Sequence, residues 1–151
     1  MPTRRKTLQH SAIVASLLAG AGLFPQYAQA YTQPAFDAKS VNDALKALGV
    51  GAPVASKDVV LTAPDIAENG AVVPMGVASS LPNIKQLVLL VEKNPNALAA
   101  VLQLNDAIEP NMTTRAKMGQ SSDVYAVAIT NDGKAFFAKK EVKVTLGGCG
   151  G

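Results

Sequence analysis

The sequence predicts an all-β domain, an antiparallel β-sandwich with a short helix before it and a glycine-rich arm after it. Three observations carry that expectation. From Lys57 onward the chain reads as about seven short runs of β-branched and aliphatic residues, separated by turn residues. One helical apolar stripe precedes them. The chain closes on Gly147-Gly148-Cys149-Gly150-Gly151, which offers no side-chain pattern for a helix or strand.

The N-terminal segment is set apart by composition. Arg4-Arg5-Lys6 forms a basic cluster, an apolar stretch runs from Ala12 to Phe24, and Ala28-Gln29-Ala30 places small residues where a signal peptidase reads. Residues 1–30 are therefore expected to be a secretory signal. Its apolar stretch is too short for a comfortable membrane span. The paired arginines fit a twin-arginine address, a route for folded cargo, although an ordinary export signal with two incidental arginines stays open. The mature chain is then expected to start at Tyr31, to reach the periplasm, and to have no membrane attachment.

Removing that signal changes the chemistry of what remains. Of 14 basic residues, Arg4, Arg5 and Lys6 leave with it, so 11 face 11 acidic ones. No clustered basic face is expected, and nucleic acid is not an expected partner. The only histidine, His10, also leaves. A chain without histidine cannot build a Ser-His-Asp or Cys-His site. One cysteine and no histidine make no usual zinc site, so no metal is expected. A single cysteine forms no internal disulfide, and the Cys-x-x-Cys-His pattern for haem attachment is absent.

The elements follow in order. Ser40 and Asp43 have the spacing of a capping box. Val41, Ala44, Leu45 and Leu48 then lie on one helical face, and Gly49 supplies a left-handed stop. Lys57–Thr62 is the first strand and ends before Pro64. Asn69-Gly70 is a turn signal. Ala71–Ser79 follows with Val73, Met75 and Val77 on one face, and its Pro74 favours an edge or a bulge. Ile84–Val91 is the most apolar run. Leu98, Ala100, Leu102 and Leu104 alternate on the next strand. Met112, Thr114, Ala116 and Met118 face one way, with Thr113, Arg115 and Lys117 opposite. Val124–Thr130 leads to a turn at Asn131-Asp132-Gly133. Lys134–Leu146 closes the domain, with Val142, Val144 and Leu146 on one face.

Leu87-Val88-Leu89-Leu90-Val91 breaks the alternation expected of a strand with one wet face. A continuous apolar run implies cover on both faces. That cover is either a loop or the N-terminal helix of the same chain, or a second subunit.

Cys149 is the remaining reactive group. Two glycines on each side free the backbone, chain ends are mobile unless tied down, and about 10 Å of extended chain separates Leu146 from Cys149. The arm is thin enough to enter a narrow cleft, and the glycine N–H groups can favour an anionic adduct. Prenylation needs the cysteine one place earlier. A thiol oxidoreductase normally pairs its nucleophile with a resolving cysteine, and none exists. Covalent carriage remains, and sulfur exchanges readily with sulfur. Other classes stay open: a structural envelope sandwich whose tail is incidental, or a redox sensor that dimerises through Cys149.

The terminal Gly147-Gly148-Cys149-Gly150-Gly151 resembles the swinging arm of the SoxY family, the sulfur carriers of the thiosulfate-oxidising Sox system. So do Ala63-Pro64-Asp65-Ile66-Ala67-Glu68-Asn69-Gly70-Ala71-Val72-Val73-Pro74, Val91-Glu92-Lys93-Asn94-Pro95 and Lys140-Glu141-Val142-Lys143-Val144. The resemblance implies an immunoglobulin-like sandwich over residues 31–146 and a mobile arm over 147–151. It implies SoxZ, a second small β-protein, as heterodimer partner. It further implies a c-type haem enzyme that joins thiosulfate to Cys149, a hydrolase that releases sulfate, and, where present, a sulfur dehydrogenase. The carrier would hold no cofactor beyond the sulfur adduct on Cys149 and would catalyse nothing itself.

Overall fold

The computed structural model describes residues 29–145 and, in isolation, Lys6. Nearly all of the expected signal, and the whole arm 147–151 with Cys149, lie outside the described residues. The fold described is that of the unit beginning at Tyr31.

The elements run α1 (Gln29–Asp37), α2 (Val41–Ala47), β1 (Val54–Ala55), β2 (Val59–Thr62), β3 (Ile66–Ala67), β4 (Val73–Ser79), β5 (Ile84–Val91), β6 (Leu98–Gln103), β7 (Asn111–Ala116), β8 (Ser122–Thr130) and β9 (Ala135–Val144). The expected helix is α2. The Ser40 hydroxyl oxygen accepts from the Asp43 N–H at 3.1 Å, and the helix enters on that cap. It ends in a Schellman motif: Gly49 stands at φ 78°, its N–H donates to Lys46 O at 2.9 Å, and the Val50 N–H donates to Leu45 O at 3.1 Å. Helix α1 was not expected. Pro34 lies inside it and masks its helical character in the sequence, yet Ala35 is fully buried and Phe36 packs beside it.

Two sheets form the sandwich. The larger has the order β1-β9-β8-β5-β6, with β3 also on β9, and the smaller has the order β2-β4-β7. The long pairings are antiparallel, as expected. The two-residue strands β1 and β3 are additions and run parallel to β9, against Phe136–Phe137 and Lys143–Val144. Two residues are too few for any period to show in the sequence.

Side chains of Val73, Met75, Val77, Leu87, Leu89 and Val124 meet between the sheets. The outer face of the larger sheet carries a second core, in which Val88, Leu90, Val127 and Ile129 pack under Ala35, Ala44, Leu45 and Leu48. The continuous run Leu87–Val91 is thus covered on both faces within one chain. The helices supply the second cover, so this run gives no ground for a subunit interface.

Two strand expectations are corrected in detail. Leu98 does not share a face with Ala100, Leu102 and Leu104. A bulge at Ala99 shifts the register, pairing Leu89 with Ala100 but Leu90 with Leu98, and turns Leu98 toward the helices. Pro74 lies on the middle strand of its sheet, but β2 reaches only Gly76–Ser79, so Pro74 has a strand neighbour on one side alone, Arg115 of β7. The turn at Asn131-Asp132-Gly133 forms as expected: Gly133 takes φ 84°, and its N–H donates to Thr130 O at 3.0 Å.

Candidate functional site

The arm leaves from the end of β9, and the described chain shows how its root is held. The Lys143 N–H donates to Asp65 O at 3.0 Å, the Val144 N–H to Ser121 Oγ at 2.9 Å, and the Thr145 N–H to Ala67 O at 3.1 Å. Consecutive residues are thus hydrogen-bonded up to the last one described. Leu146 and the arm residues Gly147, Gly148, Cys149, Gly150 and Gly151 follow, outside the described residues.

The three internal segments singled out in the sequence converge here. Lys140–Val144 is the end of β9 itself. Ala63–Pro74 wraps its outer side, with β3 paired to Lys143 and Val144. Within it the Asn69 side-chain oxygen accepts from the Ala71 N–H at 3.0 Å, and Asn69 O accepts from the Val72 N–H at 3.3 Å. Gly70 is required by close approach: a Cβ there would overlap the Met118 carbonyl oxygen and stand 2.9 Å from Val144 Cγ1. The Met118 N–H also donates to Gly70 O at 2.7 Å.

The third segment, Val91–Pro95, braces the far side. The Asn94 side-chain amide donates to Lys117 O at 2.6 Å, its oxygen accepts from the Gly119 N–H at 3.4 Å, and the Lys93 N–H donates to Ser122 Oγ at 3.0 Å. These bonds fix the 117–122 connection, which in turn holds Gly70 and Val144. The three segments therefore form a collar around the arm root. Sequence reasoning found the segments but neither their meeting nor Ser121 and Met118, which join them. The close-packed Gly70 is the one clue the sequence held, in its Asn69-Gly70 turn.

Electrostatics at the collar are modest. Lys140 Nζ stands 2.8 Å from Asp65 Oδ1 and donates to Ala63 O at 2.5 Å. The hydrogen bond from Lys140, with its positive charge, holds the Asp65 carboxyl below the ordinary aspartate range. Two large apolar side chains stand exposed there, Ile66 at 57% and Val72 at 49%. Among the described residues no group of three or more His, Cys, Asp and Glu is placed to hold a metal ion, and no helix is long and apolar enough to cross a membrane.

Comparison with known proteins follows the same line. No curated protein matches the sequence. Among solved structures, the sulfur carrier protein SoxY from Chlorobium limicola f. thiosulfatophilum aligns with a TM-score of 0.57 and 31% identity, over 64% of this chain and 87% of that one. A superoxide reductase (neelaredoxin) from Ignicoccus hospitalis aligns with a TM-score of 0.52 and 22% identity, over 58% of this chain and 79% of that one. A putative superoxide reductase from Thermotoga maritima gives 0.51 and 17%, over 62% and 88%. At those identities the two reductases share the sandwich architecture and nothing further. The family model described as sulfur oxidation protein SoxY matches residues 45–149, a span that takes in the end of α2, every strand and Cys149. The chain belongs to the SoxY family.

Proposed function

We propose that this protein is a covalent carrier of sulfur intermediates that holds them on Cys149. The carrying observation is that the family match runs through the whole sandwich and ends on Cys149. The clamped arm root supports the same reading, because a rigid body with a short tether can present one thiol to successive enzymes. The protein is a carrier subunit and not an enzyme.

The finer reading is as follows. The Cys149 thiol loses its proton and two electrons as its sulfur bonds to the outer sulfur of thiosulfate. The product is a cysteine S-thiosulfonate, and a c-type haem enzyme takes the electrons. Water then cleaves the bond between the two thiosulfate sulfurs, with a hydrolase as catalyst. Sulfate and a proton leave, and a persulfide stays on Cys149. A sulfur dehydrogenase oxidises that remaining sulfur where it is present. SoxZ serves as the heterodimer partner, and the assembly works in the periplasm.

Export by the twin-arginine route and cleavage after Ala30 belong to the same reading, and helix α1 supports the cleavage. Pro34 sits in its interior when the helix begins at Gln29, where a missing N–H and a ring clash are costly. A chain that begins at Tyr31 has Pro34 in its first turn, where N–H groups have no helical acceptor anyway.

The test is intact mass and turnover. Wild-type protein incubated with thiosulfate and the haem enzyme is expected to gain an adduct that maps to Cys149 and is removed by reductant. Cys149→Ser is expected to keep the fold and lose both adduct and thiosulfate-dependent turnover. Full turnover in that variant overturns the assignment.

A further inference from the structure

We propose that Asn69 is a modification site, at which the side-chain amide is lost to the Gly70 backbone nitrogen and the loop at the arm root converts to an aspartyl or isoaspartyl form. Asn69 is the only asparagine in the chain followed by glycine. After every other asparagine the next residue carries a side chain that crowds its own nitrogen or, at Pro95, has no N–H. The fold supplies the rest of the reaction geometry. Asn69 is exposed, so water reaches it. Its side-chain oxygen accepts from the Ala71 N–H at 3.0 Å, which closes a small ring containing both the Asn69 amide carbon and the Gly70 nitrogen. The same hydrogen bond polarises the amide carbonyl that is to be attacked. The Gly70 N–H donates to no acceptor among the described residues, so the nucleophile is not held elsewhere.

The chain's one aspartate–glycine pair, Asp132-Gly133, is protected by comparison. The Gly133 N–H donates to Thr130 O at 3.0 Å. The Thr130 hydroxyl donates to the Asp132 carboxylate, and Lys134 Nζ stands 3.3 Å from it. Both hold that carboxyl below the ordinary aspartate range, in the ionised form that resists nucleophilic attack. Neither protection exists at Asn69-Gly70, where the amide is neutral and the glycine N–H is free.

In the reaction the Gly70 nitrogen gives up its proton and bonds to the Asn69 amide carbon, while the carbon–nitrogen bond of the side-chain amide breaks. Ammonia leaves with that proton, and a succinimide ring remains. Nothing is oxidised or reduced. Water then opens the ring at either carbonyl and releases a carboxylate and a proton. Opening at the backbone carbonyl leaves isoaspartate, whose side-chain carbon has become part of the main chain. The collar has no slack for that added carbon. Gly70 O accepts from the Met118 N–H at 2.7 Å, and a Cβ on Gly70 would already overlap the Met118 carbonyl oxygen and crowd Val144. The isoaspartyl form is therefore expected to part Gly70 from Met118 and to loosen the arm root, a slow and one-way change. The chemistry at Asn69 does not depend on what Cys149 carries.

The experiment incubates the folded protein in mildly alkaline buffer, below its unfolding transition. Isoelectric focusing follows the charge, and peptide mapping distinguishes aspartate from isoaspartate. An acidic shift is expected, with conversion at Asn69 before any other asparagine and without isomerisation at Asp132. Asn69→Ser keeps a side-chain oxygen for the Ala71 N–H but has no amide to lose, and the acidic shift is expected to vanish in it. Hydrogen exchange then reads the collar. In the isoaspartyl form the Met118 amide is expected to lose about tenfold or more of its protection. Freshly prepared Asn69→Asp carries the new charge on an unchanged backbone and is expected to keep wild-type protection, which separates chain lengthening from charge. No acidic shift in the wild type, earlier conversion of another asparagine, or the same shift in Asn69→Ser overturns the site. Unchanged Met118 protection in the isoaspartyl form, or an equal loss in Asn69→Asp, overturns its effect on the arm root.

Discussion

Gly70 shows at the scale of one residue why the arm root is rigid. Its φ is unremarkable for any residue, so the need for glycine is steric. The Met118 carbonyl oxygen and Val144 Cγ1 occupy the place of a side chain. Backbone cannot swing aside as a flexible side chain can, so Gly70→Ala is expected to cost about 1–3 kcal/mol. Thermal unfolding checks the cost, and hydrogen exchange of the Met118 and Val144 amides shows whether the loss is local to the collar. Asp65 is a second single-residue test. Its carboxyl is held below the ordinary range by Lys140, so the pairing contributes stability above the ordinary aspartate pKa, and that contribution is lost as pH falls through the lowered folded value. An NMR titration of Asp65 is expected to give a midpoint below that of an ordinary aspartate. In Lys140→Met the midpoint is expected to return to the ordinary range. With Asp65 so exposed, solvent screening keeps the effect on stability small. The expectation for Cys149 came from its neighbours in the chain, whereas the collar had no such local signal. Ile66, Asn94 and Ser121 are far apart in the chain, and only hydrogen bonds formed on folding bring them to one place.

At the scale of elements, what the sequence disclosed depended on whether an element carried its own pattern. Helix α2 has its cap, stripe and stop in ten consecutive residues, Ser40 to Gly49, and the structure reproduces all three. Ser40→Ala is expected to destabilise by about 1 kcal/mol through loss of the cap. Gly49→Ala, which forces a side chain onto a left-handed backbone, is expected to cost a similar amount. Helical circular dichroism and chemical denaturation check both. Strands β4, β5, β7 and β8 were equally clear, because alternation or a continuous apolar run is local information. Strand β6 was half clear. Its alternation is real up to the bulge at Ala99, beyond which Leu98 changes face, and nothing in Leu98-Ala99-Ala100 marks a bulge. Strands β1 and β3 are defined by what β9 offers them and carry no period of their own. Helix α1 was concealed by Pro34 and by its position at the end of a leader-like composition.

At the largest scale the described domain is three layers, with the helices on one face of the large sheet and the small sheet on the other. Strands β5 and β8 belong to both cores: Leu87, Leu89 and Val91 point one way while Val88 and Leu90 point the other. The helix layer could in principle detach and leave the sandwich standing. Detachment would bare Val88, Leu90, Val127 and Ile129, each fully buried. At about 1.5–3 kcal/mol per such side chain, that exposure costs roughly 6–12 kcal/mol, comparable to the whole stability of an ordinary domain. The layers are therefore expected to unfold together. Leu45→Ala beneath α2 and Leu89→Ala between the sheets are each expected to lose about 2–5 kcal/mol, and both are expected to lower the midpoint of one shared transition. Denaturation followed in parallel by helical circular dichroism and by the NMR amide signal of Met75 checks this, since Met75 packs between the sheets. Coincident curves in both variants fit a single cooperative body that holds the arm root still. An early loss of helix in Leu45→Ala, with the Met75 signal unchanged, would instead make the helices a separable layer, and the rigidity of the carrier body would rest on the sandwich alone.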